Sequence, residues 1–185
     1  QETEDIQDTL LRVQRPNVLV VFMESFGSKF VKELGGLPDV APGMSRLIPQ
    51  SILWEHVYSN SFRTDRGTVS TFSGWVSYPT ASLIRLPEKL GNIPSLARSL
   101  SREGYHTCYL YGGDITFMNT QGYLVSTGYR QLVSDSDFSL AQINESKWGA
   151  NDSVTARRTF QKIASEESPE PSHMTFQTPS STEPF

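Results

Sequence analysis

At 185 residues the chain is long enough for one domain with a sizeable core, and a hydrophobic content of 37% with mean hydropathy -0.36 leaves no run able to cross a bilayer. A net charge of -4 offers no basic footprint, which argues against nucleic acid as a partner. The single cysteine, Cys108, rules out an intrachain disulfide, and no CxxC metal motif is present.

The chain begins at Gln1 rather than Met, so a targeting segment is expected to lie outside it. Residues 1–15 are acidic and then amphipathic, with Ile6, Leu10, Leu11 and Val13 at roughly helical spacing, and predict a short leading helix or linker. Residues 16–185 are expected to form one domain. Val18 to Met23 is an apolar run between Pro16-Asn17 and Glu24-Ser25-Phe26-Gly27, predicting a strand buried on both faces of a parallel sheet. Glu24 therefore follows a strand's carboxyl end, where open α/β sheets bind ligands. Capping the next helix or facing water is an equal alternative for it.

Ser25 to Leu34 predicts a helix stopped by Gly35-Gly36-Leu37-Pro38, and Pro42 to Ile48 a second one. Ser51 to Tyr58 alternates enough to predict a strand. The polar turn Ser59 to Gly67 then places Thr64 near a helix amino terminus, where free N–H groups and the dipole favour an anion. A Pro- and Leu-rich loop, Tyr78 to Pro94, leads to a helix at Ser95 to Glu103 closed by Gly104. Tyr105 to Tyr111 predicts a strand ending in Gly112-Gly113-Asp114, a second carboxylate at a strand's end. Helices are expected over Met118 to Thr127 and Asp152 to Ser165, the latter with Val154, Phe160, Ile163 and Ala164 as its apolar residues. Glu166 to Ser172 reads as a loop and His173 to Thr178 as a final strand. This alternation predicts an α/β architecture with a largely parallel sheet flanked by helices.

The candidate chemistry is a nucleophile beside a hard oxygen ligand. A threonine hydroxyl needs a base or a metal to act as nucleophile near neutral pH. Glu24 is a hard oxygen ligand available for a divalent cation, and Arg63 and Arg66 could offset phosphoryl charge. A Thr-Asp pair before a helix is more often a simple cap. His56, His106 and His173 read as structural, Cys108 as a buried small apolar residue, and Trp54, Trp75 and Trp148 as packing residues.

As a set, residues 17–26, Ser61-Phe62-Arg63-Thr64-Asp65-Arg66-Gly67, Tyr111 to Phe117 and Trp148-Gly149-Ala150-Asn151-Asp152 resemble the lipoteichoic acid synthase branch of the sulfatase-like alkaline phosphatase superfamily. The resemblance implies an extracytoplasmic domain of a bacterial membrane protein, tethered by transmembrane helices outside this sequence. It implies a divalent metal, manganese foremost with magnesium or zinc as alternatives, and a threonine that becomes phosphorylated. The reaction implied is transfer of phosphoglycerol, phosphoethanolamine or a related phosphoalcohol from a phospholipid headgroup to a glycan or lipid acceptor. Matched by position, Glu24 is the first metal ligand, and Thr64 the nucleophile and second ligand. Arg63 stands where the family has a basic residue, and Tyr111, Gly113 and Asp114 fall in its headgroup-binding loop. Met118-Asn119-Thr120 replaces a Trp-Asn-Arg run, so only Asn119 is shared.

Two departures stand out. Thr182 replaces the histidine of a Ser-x-His-x-Pro-Phe run, and the family continues past this point with an Asp-His pair that completes the metal site. The expectation is therefore an alkaline phosphatase/sulfatase-like fold incomplete at its C-terminal side, inactive alone or at best a weak metal binder. A sulfatase-like phosphodiesterase and a non-catalytic binding module derived from the fold are the alternatives; Cys108 lacks the context of formylglycine sulfatases.

Overall fold

The computed structural model describes residues 11–165 and 169–183. The chain order is β1 (Val18–Met23), α1 (Pro42–Leu47), α2 (Thr64–Ser73), α3 (Pro87–Leu90), α4 (Leu96–Arg102), β2 (His106–Tyr111), α5 (Thr120–Ser126), β3 (Gln131–Val133), α6 (Leu140–Ile143), α7 (Asp152–Ser165) and β4 (Ser172–Thr178). Among the described residues four strands form one sheet in the order β1-β4-β2-β3, and every pairing in it is parallel. Parallel neighbours require crossovers, and the helices between the strands supply them.

β4 is the axis of the sheet, and all seven of its residues are buried. Its polar residues share one face: His173, Thr175 and Gln177 alternate with Met174 and Phe176. Tyrosines from the neighbouring elements satisfy that polar face. The Tyr129 hydroxyl bonds Thr175 Oγ1 at 2.7 Å and approaches His173 Nε2 at 3.4 Å, and the Tyr109 hydroxyl donates to Gln177 Oε1. Tyr109 and Tyr129 meet edge to face at 5.1 Å, and Tyr123 bonds Ser73 Oγ at 2.7 Å. Around them Val69, Phe72, Ile84, Leu90, Ala97 and Leu124 complete the larger core, with Val20 and Phe22 packed on from β1. The opposite face holds the smaller cluster of Cys108, Leu110, Val133 and Met174.

Several expectations change. β1 forms where predicted but is an edge strand rather than doubly buried: Leu19, Val21 and Met23 alternate to a face that leaves them 40%, 48% and 38% exposed. Ser51 to Tyr58 contains no strand. No ladder partner meets it among the described residues, and β-propensity without a partner does not make a strand. Ser25 to Leu34 gives only two single-turn 3-10 segments, Ser28–Phe30 and Lys32–Leu34, too short to repay helix nucleation. The short strand β3 has no counterpart in the sequence reading.

In α7 the buried residues are Thr155 and Thr159, while Phe160 is 62% exposed. Threonines permit close approach to the sheet, and their hydroxyls are satisfied by the Asn151 and Thr155 carbonyls. The predicted leading helix at residues 1–15 falls largely outside the described residues, as does part of the Glu166 to Ser172 loop.

Candidate functional site

Glu24 leaves the carboxyl end of β1, and its backbone N–H donates to Thr178 Oγ1 at 3.1 Å, tying it to the end of β4. Thr64 is the first residue of α2, after Arg63 in extended conformation. The Thr64 hydroxyl donates to Glu24 Oε1 at 2.5 Å across a sequence separation of 40. The other carboxylate oxygen, Oε2, accepts from Gln177 Nε2 at 2.9 Å. Gln177 is itself oriented by the Tyr109 hydroxyl. Burial pushes the Tyr109 hydroxyl far above the ordinary tyrosine range, so it remains a donor and fixes which end of the amide faces Glu24.

Glu24 and Thr64 line a cavity of about 620 Å3 together with Tyr111, Asp114, Asp135, Lys147 and Trp148. They also border a second cavity of about 630 Å3, with Phe26, Tyr58 and Phe62. The Tyr111 hydroxyl is held protonated, first by burial and then by the charges of Glu24 and Asp114. Asp114 is held below the usual carboxylate range by the Thr116 hydroxyl and N–H, at 2.6 and 2.7 Å from its Oδ1. At the base of α7, burial raises Asp152, whose carboxylate accepts from the Ser180 N–H at 3.2 Å. Ser180 Oγ in turn accepts from the Asp152 N–H at 2.9 Å.

The structure thus gathers Glu24, Thr64, Arg63, Tyr111 and Asp114 around one cavity, and Thr182 with them. Arg63 already pairs with Asp65 at 3.5 Å. Asn119 is not brought in: its side-chain amide donates to the Ile84 carbonyl at 2.7 Å, and Met118 and Thr120 line the cavity instead. The left-handed backbone at Met118 and Asn119 produces this swap. Arg66 likewise faces away, beside Val69, Trp75 and Ser82. The three tryptophans separate too: Trp54 is 70% exposed, Trp75 sits beside Arg66 and Val69, and Trp148 lines the cavity.

Gln177 escaped the sequence reading, although a polar residue at the carboxyl end of a buried strand is the signal that drew attention to Glu24. For a divalent metal, Glu24 and Thr64 offer two hard oxygens where such ions take about four to eight ligands. Among the described residues no group of three or more His, Cys, Asp or Glu side chains could hold one. These residues therefore do not complete a metal centre.

The sequence matches the Sulfatase family over residues 16–184. The chain belongs to that family. Among solved structures, this sulfatase-family chain is similar to a protein of the alkaline phosphatase superfamily from Vibrio parahaemolyticus, with TM-score 0.83 and 25% identity over 94% of this chain and 42% of that one. The lipoteichoic acid synthase LtaP from Listeria monocytogenes superposes with TM-score 0.79 and 16% identity, over 91% of this chain and 41% of its own. The phosphonate monoester hydrolase of Agrobacterium radiobacter shares the fold at TM-score 0.54 and 12% identity, over 88% and 41%. The sulfatase-family chain thus spans about two fifths of the length of these structures.

Proposed function

We propose that this chain carries the nucleophile side of a phosphoester-transfer site, in which Thr64 takes a phosphoalcohol from a phospholipid headgroup donor and passes it to a glycan or lipid acceptor. The observation that carries the reading is the Thr64 hydroxyl, at the first turn of α2, donating to Glu24 at the wall of a cavity. Glu24 accepts the Thr64 proton as Oγ1 bonds to phosphorus. The phosphorus–oxygen bond to the lipid alcohol breaks, and that alcohol leaves with a proton from Glu24 or solvent. An acceptor hydroxyl then attacks phosphorus, the bond to Oγ1 breaks, and Thr64 regains a proton. The amino terminus of α2 favours the phosphoryl charge. Tyr111, as a protonated phenol, has a donor for a headgroup oxygen, and Asp114 has an acceptor.

A bound divalent cation, manganese foremost and magnesium or zinc as alternatives, would neutralise charge beside Glu24 and Thr64. The described residues leave its coordination incomplete. The likeness to LtaP supports placing this chemistry at the outer side of a bacterial membrane. No helix among the described residues is long and apolar enough to cross one.

The test is covalent labelling. A longer protein that carries this chain together with the segment completing the metal site is incubated with phosphatidylglycerol or phosphatidylethanolamine and manganese, and its intact mass and peptides are analysed; the present chain alone is expected to stay unlabelled. For the longer protein, one headgroup phosphate on Thr64, absent in Thr64→Ala, is the expected result; labelling elsewhere, or none, sinks the reading. Release of the label by water or by an added acceptor then separates hydrolysis from transfer.

A further inference from the structure

Two cationic side chains line the cavity that holds Thr64: Arg63 and Lys147. Arg63 is committed to Asp65, whose side chain is nearly buried. Lys147 has no carboxylate within ion-pair distance among the described residues, and its ammonium lies 5.5 Å from the centre of the Trp148 ring.

The loop that carries it is fixed rather than free. Ser146 Oγ donates to the Gly149 carbonyl at 2.9 Å and accepts from the Trp148 N–H at 3.2 Å, and the Ala150 N–H donates to the Gly112 carbonyl at 2.8 Å. The two loops interlock through glycine. A Cβ on Gly149 would lie 2.2 Å from the Gly112 oxygen, and one on Gly113 would lie 2.5 Å from the Trp148 oxygen. Lys147 is thereby held at the carboxyl end of β2, facing the same space as the nucleophile. The Trp148 indole N–H is shielded from solvent and has no acceptor among the described residues. Such an orphaned buried donor is unfavourable to leave unpaired.

We infer that Lys147, stationed on the Trp148 ring, is the anion-binding cation of this cavity, and that its ligand is the phosphate of a small phosphate ester. This deepens the proposed function and rests on it for the reaction that the bound phosphate undergoes. The chemistry is common to a lipid headgroup and a soluble phosphoalcohol. Lys147 supplies charge-assisted donors for the phosphate oxygens, and binding draws its ammonium off the indole.

Calorimetry on the whole chain with inorganic phosphate, glycerol 1-phosphate and O-phosphoethanolamine tests this. A companion titration follows Trp148 fluorescence in a Trp54→Phe/Trp75→Phe background. Saturable binding is expected, weakened about 10- to 100-fold by Lys147→Ala and largely regained in Lys147→Arg. The two phosphoalcohols, compared with inorganic phosphate, report whether the headgroup adds affinity. Lys147 is exposed, so circular dichroism of Lys147→Ala should stay native. Binding that Lys147→Ala leaves unchanged, or no saturable binding to any of the three probes, overturns the inference. Lys147-dependent binding with Thr64 never labelled would sink the nucleophile and leave this site standing, whereas labelled Thr64 with Lys147-independent binding would do the reverse.

Discussion

Gln177 and Thr64 divide the carboxylate of Glu24 between them: the Gln177 amide donates to Oε2 at 2.9 Å, and the Thr64 hydroxyl to Oε1 at 2.5 Å. Gln177 lies between Phe22 and Tyr111 in the ladder, at the end of the buried central strand, so its backbone is fixed from both sides, and the Tyr109 hydroxyl orients its side-chain amide. Glu24 is thus aimed by the core rather than by the loop that follows it.

Gln177→Leu strands two groups at once, the Tyr109 hydroxyl and one oxygen of Glu24. The expected destabilisation is about 1–3 kcal/mol, and Tyr109→Phe alone should cost about 1 kcal/mol. In the double variant the Tyr109→Phe cost should shrink, because the partner it loses is already gone. Urea denaturation of the four proteins measures this, and strictly additive losses would mean that the two side chains do not act as a unit.

Tyr109, Tyr111, Tyr123 and Tyr129 all titrate above the ordinary value of 10.0 in the folded chain, chiefly because burial penalises the phenolate, with Tyr123 pushed up to about 12. The folded state therefore holds these protons more tightly than the unfolded state does. Their contribution is whole below pH 10 and is lost as pH rises towards the folded values, at about 1.4 kcal/mol per pH unit for each tyrosine. Stability should fall steeply between about pH 10 and 12. Tyrosinate absorbance from these four side chains should emerge together with loss of far-ultraviolet circular dichroism. Emergence from a chain still folded would contradict the burial account.

What the sequence could show depended on how local each signal was. Val18 to Met23 announced a strand by its own composition, and Asp152 to Ser165 a helix, with the bounds the structure gives. Thr64 was placed at a helix start by the turn before it. The misses share a cause: they concern neighbours distant in the chain. Exposure of Leu19 and Val21 follows from β1 being at the sheet edge, and the failure of Ser51 to Tyr58 to form a strand follows from the lack of a partner among the described residues. Gln177 depends on contacts with Tyr109 and Glu24, 68 and 153 residues away. Lys147 reaches the cavity only because two glycine-rich loops interlock.

That interlock is itself open to test. Gly149 has φ +111° and would place a Cβ 2.2 Å from backbone oxygen, so Gly149→Ala combines a disfavoured conformation with a clash that no side-chain rotation relieves. A loss of about 2–4 kcal/mol in denaturation is expected, together with a shift in Trp148 fluorescence as the loop lifts from Gly112 and Gly113. Native stability with unshifted emission would show that the loop yields cheaply and does not hold Lys147 in place.

Metal affinity should be weak in this chain. Glu24 and Thr64 bring two oxygens to one point, and no third acidic, histidine or cysteine side chain joins them among the described residues. Sites short of charged ligands bind divalent cations at about 0.1–1 mM, and manganese followed by electron paramagnetic resonance should fall in that range. Glu24→Gln removes the charged donor and should abolish the signal change. Thr64→Ala, which removes a neutral donor, should weaken binding only a few-fold, or roughly 1 kcal/mol. Micromolar affinity that survives Glu24→Gln would mean that the cation binds somewhere other than beside the nucleophile.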